Sequence, residues 1–262
     1  MRFAFIRRHR TEFSIRRMCH VLAVSPSGYY AWFERPESDR AREDRRLKGK
    51  MEAEFKQSRE AYGSRRLGRE AGCGRTRARR LMRENGMTAK KTRQFRVSTT
   101  DSSHSMPVAP NLVAQNFTTD APDRVWVGDI TLIRTMEGWL YLAVVLDLFS
   151  RRVVGWATSA LIDTCLCLSA LNRAVEARRV RRSLVFHSDR GSQYASSDYQ
   201  DRLEQLGFEC SMSGVGNCYD NAVVESFFDS LKTEWLDRPF ETRRQAHEAV
   251  FSYIEGFYNL RR

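Results

Sequence analysis

The stretch from Val185 to Trp235 reads VFHSDRGSQYASSDYQDRLEQLGFECSMSGVGNCYDNAVVESFFDSLKTEW. An apolar run at 184–186 ends in His187-Ser188-Asp189 and stops at Gly191. Residues 197–206 have helical patterning, and 208–212 read as a short strand. A Gly-rich loop at 214–217 leads into an amphipathic run that carries Glu225 near its start. Strand, helix, strand, helix in that order is the signature of an α/β layer. Working upstream, Val125-Trp126-Val127-Gly128-Asp129-Ile130 forms a second apolar run with Asp129 inside it. Between Asp189 and Glu225 lie 35 residues, and between Asp129 and Asp189 lie 59.

The rest of the C-terminal half fits around this stretch. Residues 125–134 alternate as a strand, 138–149 form a continuous apolar strand, and 151–158 a third after a tight turn, which together make an antiparallel meander. A helix over 163–179 would bury Leu166, Ala170, Leu171, Ala174 and Val175. Helices at 222–235 and 243–258 close the chain. The expected fold class is α/β, with a mixed five-stranded sheet flanked by helices and preceded by an all-helical region.

Charge divides the chain. Residues 1–120 hold 27 Lys and Arg against 13 Asp and Glu, whereas residues 121–262 hold 17 against 19. A basic front half joined to a near-neutral back half fits DNA binding by one part and chemistry by the other. Residues 11–33 have helix-turn-helix patterning, with Ser25-Pro26 suited to start the second helix. A charged helix at 39–61 would bury Leu47, Met51 and Phe55. A further helix-turn-helix near 62–87 would place Ala78, Leu81 and Met82 inward. Arg75, Arg79 and Arg83 then line another face, with Arg77 and Arg80 beside them. Arginine on an exposed helix face suits phosphates and guanine edges. Lys90, Lys91 and Arg93 would add phosphate contacts. Residues 98–122 are rich in Ser, Thr and Pro and lack Lys and Arg, which is linker composition. The expected organisation is a basic helical region at 1–97, a linker at 98–122 and a catalytic core at 123–262.

Neither membrane nor disulfide chemistry is indicated. No apolar run approaches the ~20 residues of a membrane helix, and the quickly basic N-terminus is unlike a secretory signal. The expected location is the cytoplasm. The six cysteines form no CxxC pair and read as buried, reduced thiols.

Odd-numbered positions of the first strand, Val125, Val127, Asp129, Thr131 and Ile133, share a face. A lone carboxylate among apolar neighbours is costly unless something neutralises it, and a metal ion would. Asp189 lies just past the end of its strand, where α/β sheets tend to hold their sites. Glu225 lies in the first turn of its helix, with Asp229 and Lys232 following on the same side. Singly, each acid also reads as an ordinary strand-end, turn or helix-start residue. Together they suit Mg2+ or Mn2+, because oxygen-only sites favour hard cations. Two such ions about 3.5–4 Å apart serve phosphodiester chemistry. Lys232, roughly 10 Å along the helix axis from Glu225, would touch DNA rather than metal.

The segments WVGDIT (126–131), LDLFSRRVVGWA (146–157), HSDRGSQYAS (187–196) and GNCYDNAVVESFFDSLKTE (216–234) closely resemble OrfB-type transposases of the IS3 family of bacterial insertion sequences. SPSGYYAW, YGSRRL and RARRLMRENGM in the front half are similar to the same family. The resemblance implies a ribonuclease-H-like, retroviral-integrase-like core whose DDE site is Asp129, Asp189 and Glu225, all three binding the metal ions. It implies cleavage at transposon ends, then attack by the freed 3′-hydroxyl on target DNA. The implied partners are double-stranded DNA (terminal repeats and target), further copies of the chain and a product of an upstream frame of OrfA type. There are two departures. Residues 68–74 look shorter than the family's usual helix and turn. The core also stops at Arg262, where relatives continue, and so reads as truncated. These departures motivate an alternative, a catalytically impaired remnant acting only as a DNA-binding protein. A structure-selective nuclease of the same fold is a third reading, disfavoured by the basic modules in front.

Overall fold

The computed structural model describes residues 1–90, 106–178, 180, 183–214, 218–236 and 238–261. The chain divides into two compact units: residues 1–57 with 63–88, and residues 58–62 with 89–262.

The first unit is helical. Helices α1 (Arg2–Arg8), α2 (Ile15–Val21) and α3 (Pro26–Glu34) close over Ile6, Met18, Cys19 and Tyr29. Ser25 caps α3, its Oγ accepting from the Gly28 N–H at 2.9 Å, and Pro26 fills the first helical position. In α2, Met18 and Cys19 are buried while Val21 is exposed. Three more helices follow, α4 (Asp39–Gln57), α5 (Ser64–Ala71) and α6 (Arg75–Glu84). Leu47, Met51 and Phe55 of α4 and Ala78, Leu81 and Met82 of α6 are buried as their spacing requires. The short stretch at 68–74 still turns a corner. Gly72 adopts the left-handed conformation, φ 76°, that ends α5. At Gly68 an added Cβ would lie 2.9 Å from the Cys73 carbonyl oxygen, so glycine there permits the tight approach.

The second unit holds the expected mixed sheet. Its strands are β1 (Val125–Thr135), β2 (Gly138–Asp147), β3 (Val153–Ser159), β4 (Val185–Ser188) and β5 (Glu209–Met212), in the order β3-β2-β1-β4-β5. The meander β1-β2-β3 is antiparallel, while β4 runs parallel to both β1 and β5. Strand β2 stops at Asp147, short of the apolar run that continues to Phe149. The buried Asp147 carboxylate turns the chain there, with Oδ2 accepting from the Ser150 N–H and Oγ–H and Oδ1 from the Asp123 N–H. Apolar length alone therefore overstated the strand.

Helices α7 (Thr164–Ala177), α8 (Ser192–Ala195) and α9 (Ser197–Leu206) share one buried cluster with Trp126, Ile130, Ala143, Val145 and Ala157 of the sheet. Asp163 caps α7 through the Leu166 N–H. A Cβ on Gly155 would lie 2.3 Å from the Ala170 carbonyl oxygen, so α7 rests directly on the β3 backbone. Helices α10 (Ala222–Glu234) and α11 (Arg243–Tyr253) pack on β1 and β2. Their buried residues Val224, Phe227, Leu231 and Val250 lie outside that cluster and cover the other face. Residues 254–258 prolong α11 with a changed hydrogen-bond pattern. They form a π-helical turn, Ile254–Tyr258, before a last helical turn α12 (Asn259–Arg261). The π turn brings Asn259 onto the edge strand β3. Its Oδ1 accepts from the Val153 N–H at 3.0 Å and its Nδ2 donates to the Val153 carbonyl at 2.9 Å. One side-chain amide thus satisfies both backbone groups of Val153 on the edge strand.

Candidate active site on the sheet

Register brings the two aspartates together. The parallel pairing of β1 with β4 runs from Val125 with Val185 to Gly128 with Ser188. The next residues on the two chains are Asp129 and Asp189. Asp129 therefore sits in mid-β1 at the level where β4 ends, opposite Val144 of β2. Gly128 makes this junction possible, because an added Cβ would lie 2.6 Å from the Phe186 ring. The Asp129 Oδ1 accepts from the Ile130 N–H at 2.7 Å, and the Asp189 Oδ1 from the Gly191 N–H at 2.9 Å. Glu225 reaches the same region from the first turn of α10, the helix packed on β1.

Electrostatics links the three acids. Burial pushes the Asp129 carboxyl well above the ordinary carboxylate value, and the charges of Asp189 and Glu225 push it the same way. The Ile130 N–H and the Lys232 ammonium oppose this. Lys232 remains solvent-accessible, yet the protein around its stem lowers its ammonium, with Asp229 and Asp129 pulling it back up. Among the described residues, no three His, Cys, Asp or Glu side chains stand as ready metal ligands. The acids are within electrostatic reach of one another rather than closed on a shared point. The donor set nonetheless fits a hard divalent cation. It is all carboxylate, and Asp129 carries a burial and like-charge penalty that a cation would relieve.

Two buried polar residues beside this site carry no role in the sequence reading, although both lie in the quoted motifs. His187 is fully buried, its Nδ1 2.8 Å from the Ser211 Oγ, and burial lowers its imidazole to about 4. Asp220, in the 3-10 turn Cys218–Asn221, is equally enclosed. An acid or amide just before an apolar helical stripe signals a helix cap, and that signal covers Asp220 and Asn221.

The basic residues separate into two groups. Arg77 donates to Asp44 at 2.7 Å and pairs with Glu43 at 2.9 Å, and Arg80 donates to Asp44 at 2.6 Å and to Glu84 at 3.0 Å. Both are half-buried, and these bonds hold the Asp44 carboxyl below its ordinary value. Arg75, Arg79 and Arg83 are exposed along α6. Lys90 is half-buried and donates its backbone N–H to the Glu60 carbonyl. Lys91 and Arg93 lie outside the described residues. Of the described thiols, Cys19, Cys73, Cys165, Cys167 and Cys210 are free. Cys165 is exposed rather than buried, because it falls on the outer face of α7. Among the described residues no helix is long and apolar enough to cross a membrane.

The integrase core domain family matches residues 119–218, and a second integrase core domain family matches 206–262. The chain is 44% identical over 251 residues to the 31 kDa protein of insertion element IS600 from Shigella sonnei, across 94% of this chain and 92% of that one. It is 42% identical over 268 aligned positions to the transposase InsF of insertion sequence IS3A from Escherichia coli strain K12, across 99% of this chain and 92% of that one. Among solved structures, the catalytic domain of the Mos1 mariner transposase aligns with 52% of this chain and 72% of its own, at 17% identity and a TM-score of 0.45.

Proposed function

We propose, from the premise that this chain belongs to the IS3 family of transposases, that Asp129, Asp189 and Glu225 are the acids with which it cuts and joins DNA strands. The chain is a DDE-type transposase by family and by fold. What supports these three residues in particular is the β1–β4 register, which brings Asp129 level with Asp189, and the place of Glu225 in the first turn of α10, the helix packed on β1; the charges of Asp189 and Glu225 both push the Asp129 carboxyl up.

When bound, Mg2+ or Mn2+, as two ions, supplies Lewis-acid stabilisation of the attacking and leaving oxygens of the phosphodiester. Asp129 in β1 and Asp189 just past the end of β4 would hold the ions, and Glu225 would join them from α10. Water is the first nucleophile. It attacks phosphorus, the P–O3′ bond breaks, and the freed 3′-oxygen takes a proton. That 3′-hydroxyl then attacks a target phosphate directly, forming one P–O bond as another breaks, with no covalent link to the protein. Lys232, seven residues beyond Glu225, neutralises the DNA backbone beside the reacting phosphate.

Residues 1–97 deliver DNA, with Arg75, Arg79, Arg83, Lys90, Lys91 and Arg93 as phosphate or base contacts. The substrates are insertion-sequence terminal repeats and a target duplex, handled by more than one copy of the chain at the nucleoid, with a partner from an upstream frame. The test is cleavage of labelled terminal-repeat DNA in Mn2+ by wild type, Asp129→Asn, Asp189→Asn and Glu225→Gln. Wild type alone should nick the end. Nicking by any of the three variants at the wild-type rate would remove that residue from the assignment.

A further inference from the structure

The hydrogen bonds around Asp220 form a continuous path from the Asp189 turn to the helix of Glu225. On the Asp189 side, the Ser188 carbonyl accepts from the Ser213 N–H at 3.0 Å, and Arg190 Nε donates to the Ser213 carbonyl at 2.7 Å. Both residues flanking Asp189 are thus tied to Ser213. Its neighbour Gly214 donates its N–H to the Asp220 Oδ2 at 2.9 Å. The same oxygen accepts from Asn111 Nδ2 at 2.8 Å. Asp220 sits two residues before α10 begins, and Glu225 lies in the first turn of that helix.

Among the described residues, the start of α10 has no side-chain capping bond of its own. Asn221 occupies the cap position and makes no capping bond. An uncapped first turn frays, and here the first turn carries an acid that must hold its place to within a fraction of an ångström. Asp220 is 1% exposed. A carboxylate so enclosed is unfavourable unless donors meet it, and Asn111, 109 residues away, and Gly214, six residues away, both donate to its Oδ2. Asn111 is itself held from the other side, its Oδ1 accepting from the Ala114 N–H at 2.8 Å. The neighbouring Leu112 N–H donates to Ser211 Oγ, which contacts His187. The network therefore spans the 110–114 segment, the ends of β4 and β5, and the entry to α10.

We propose that Asp220 is a positioning residue: its carboxylate fastens the start of the Glu225 helix to the end of β5 and to Asn111, and so sets where Glu225 stands relative to Asp129 and Asp189. This rests on the assignment of those three acids. Asp220 does not touch substrate or metal. It acts through the backbone of residues 220–225.

Direct Mn2+ titration of the full chain, followed by electron paramagnetic resonance without DNA, tests this independently of turnover. Asp220→Ala should keep the wild-type far-ultraviolet circular dichroism while its apparent Mn2+ Kd rises about 10–100-fold, the usual cost of losing a group that orients metal ligands. Asp220→Asn keeps an acceptor oxygen and should recover most of the affinity. Asn111→Ala, which removes one donor at a half-exposed position, should weaken Mn2+ in the same direction by a smaller factor. Glu225→Gln is the control for the underlying assignment and should weaken Mn2+ at least as much. If Glu225→Gln fails to do so, the triad reading fails. If it does while Asn111→Ala and a folded Asp220→Ala bind Mn2+ as wild type does, the positioning role is overturned. Should Asp220→Ala not fold, unchanged Mn2+ affinity in Asn111→Ala overturns it alone. Failure of Asp220→Asn to recover affinity would likewise count against it.

Discussion

Asp129 stands on a strand whose same-face neighbours, Val127 and Thr131, are buried. Burial first, and then the charges of Asp189 and Glu225, raise its carboxyl above the ordinary value of 3.8. A carboxyl raised in the folded state favours folding below its unfolded value, and that advantage is lost as pH rises through the folded value. In a chelator, the protein should therefore lose thermal stability as pH climbs from the acid range toward neutrality. Asp129→Asn should melt higher than wild type at neutral pH, and Mn2+ should raise the melting temperature of wild type but not of the variant. A lower melting temperature for Asp129→Asn in chelator would contradict this electrostatic picture. The three proposed site acids were legible because strand, strand end and helix start each left a pattern around them. Asp147, Asp220 and Glu234 were not. Their local sequences are those of ordinary turn, cap and helix-surface acids. They are buried by groups remote in the chain: the Asp123 N–H, the Asn111 amide and the Tyr253 hydroxyl.

Helix α6 shows how one element can carry two sets of arginines. Its spacing alone placed Arg77 and Arg80 beside the exposed stripe. Asp44, far away on α4, takes both, and among the described residues one buried nitrogen of Arg77 has no hydrogen-bond partner. In the full chain, Arg79→Ala and Arg83→Ala should each weaken duplex binding and flatten its log–log salt dependence by about 0.9 per lost phosphate contact. Arg80→Ala should instead lower the melting temperature and leave the salt slope in place. The reverse pattern, read by fluorescence anisotropy and calorimetry, would exchange the roles. Packing of α7 offers a sharper test. Gly155→Ala must displace the Ala170 backbone, and overpacking of this kind costs about 1–3 kcal/mol. A urea midpoint unchanged from wild type would show that the helix does not rest on β3 as described. Elements with strong periodicity, such as α4, α6 and β1, were readable from the chain. Helix α1 and the π turn were not, because neither has a local signature. The π turn places Asn259 against Val153, 106 residues away.

Over the whole molecule, the sheet order and the family relationship agree: a basic front half precedes a near-neutral core that carries the acids. Alternation and apolar runs made the mixed sheet readable, since each strand declares which of its faces is buried. The 58–62 connection belongs with the second unit, and no local pattern could have announced that. Its Arg59 guanidinium lies 3.8 Å from the centroid of the Trp235 ring, a contact between residues that are far apart in sequence. Glu225 is the residue that would complete a metal-dependent strand-transfer site. The most direct measurement is joining of a pre-cut terminal-repeat end, bearing a free 3′-hydroxyl, to a target duplex in Mn2+, with wild type and Glu225→Gln compared at equal DNA occupancy. The account predicts joined product from wild type, and a rate lower by at least about 100-fold in the variant, as befits loss of a group that stabilises the transition state. Equal joining by both proteins, or none by either while both remain bound to the DNA, would contradict it.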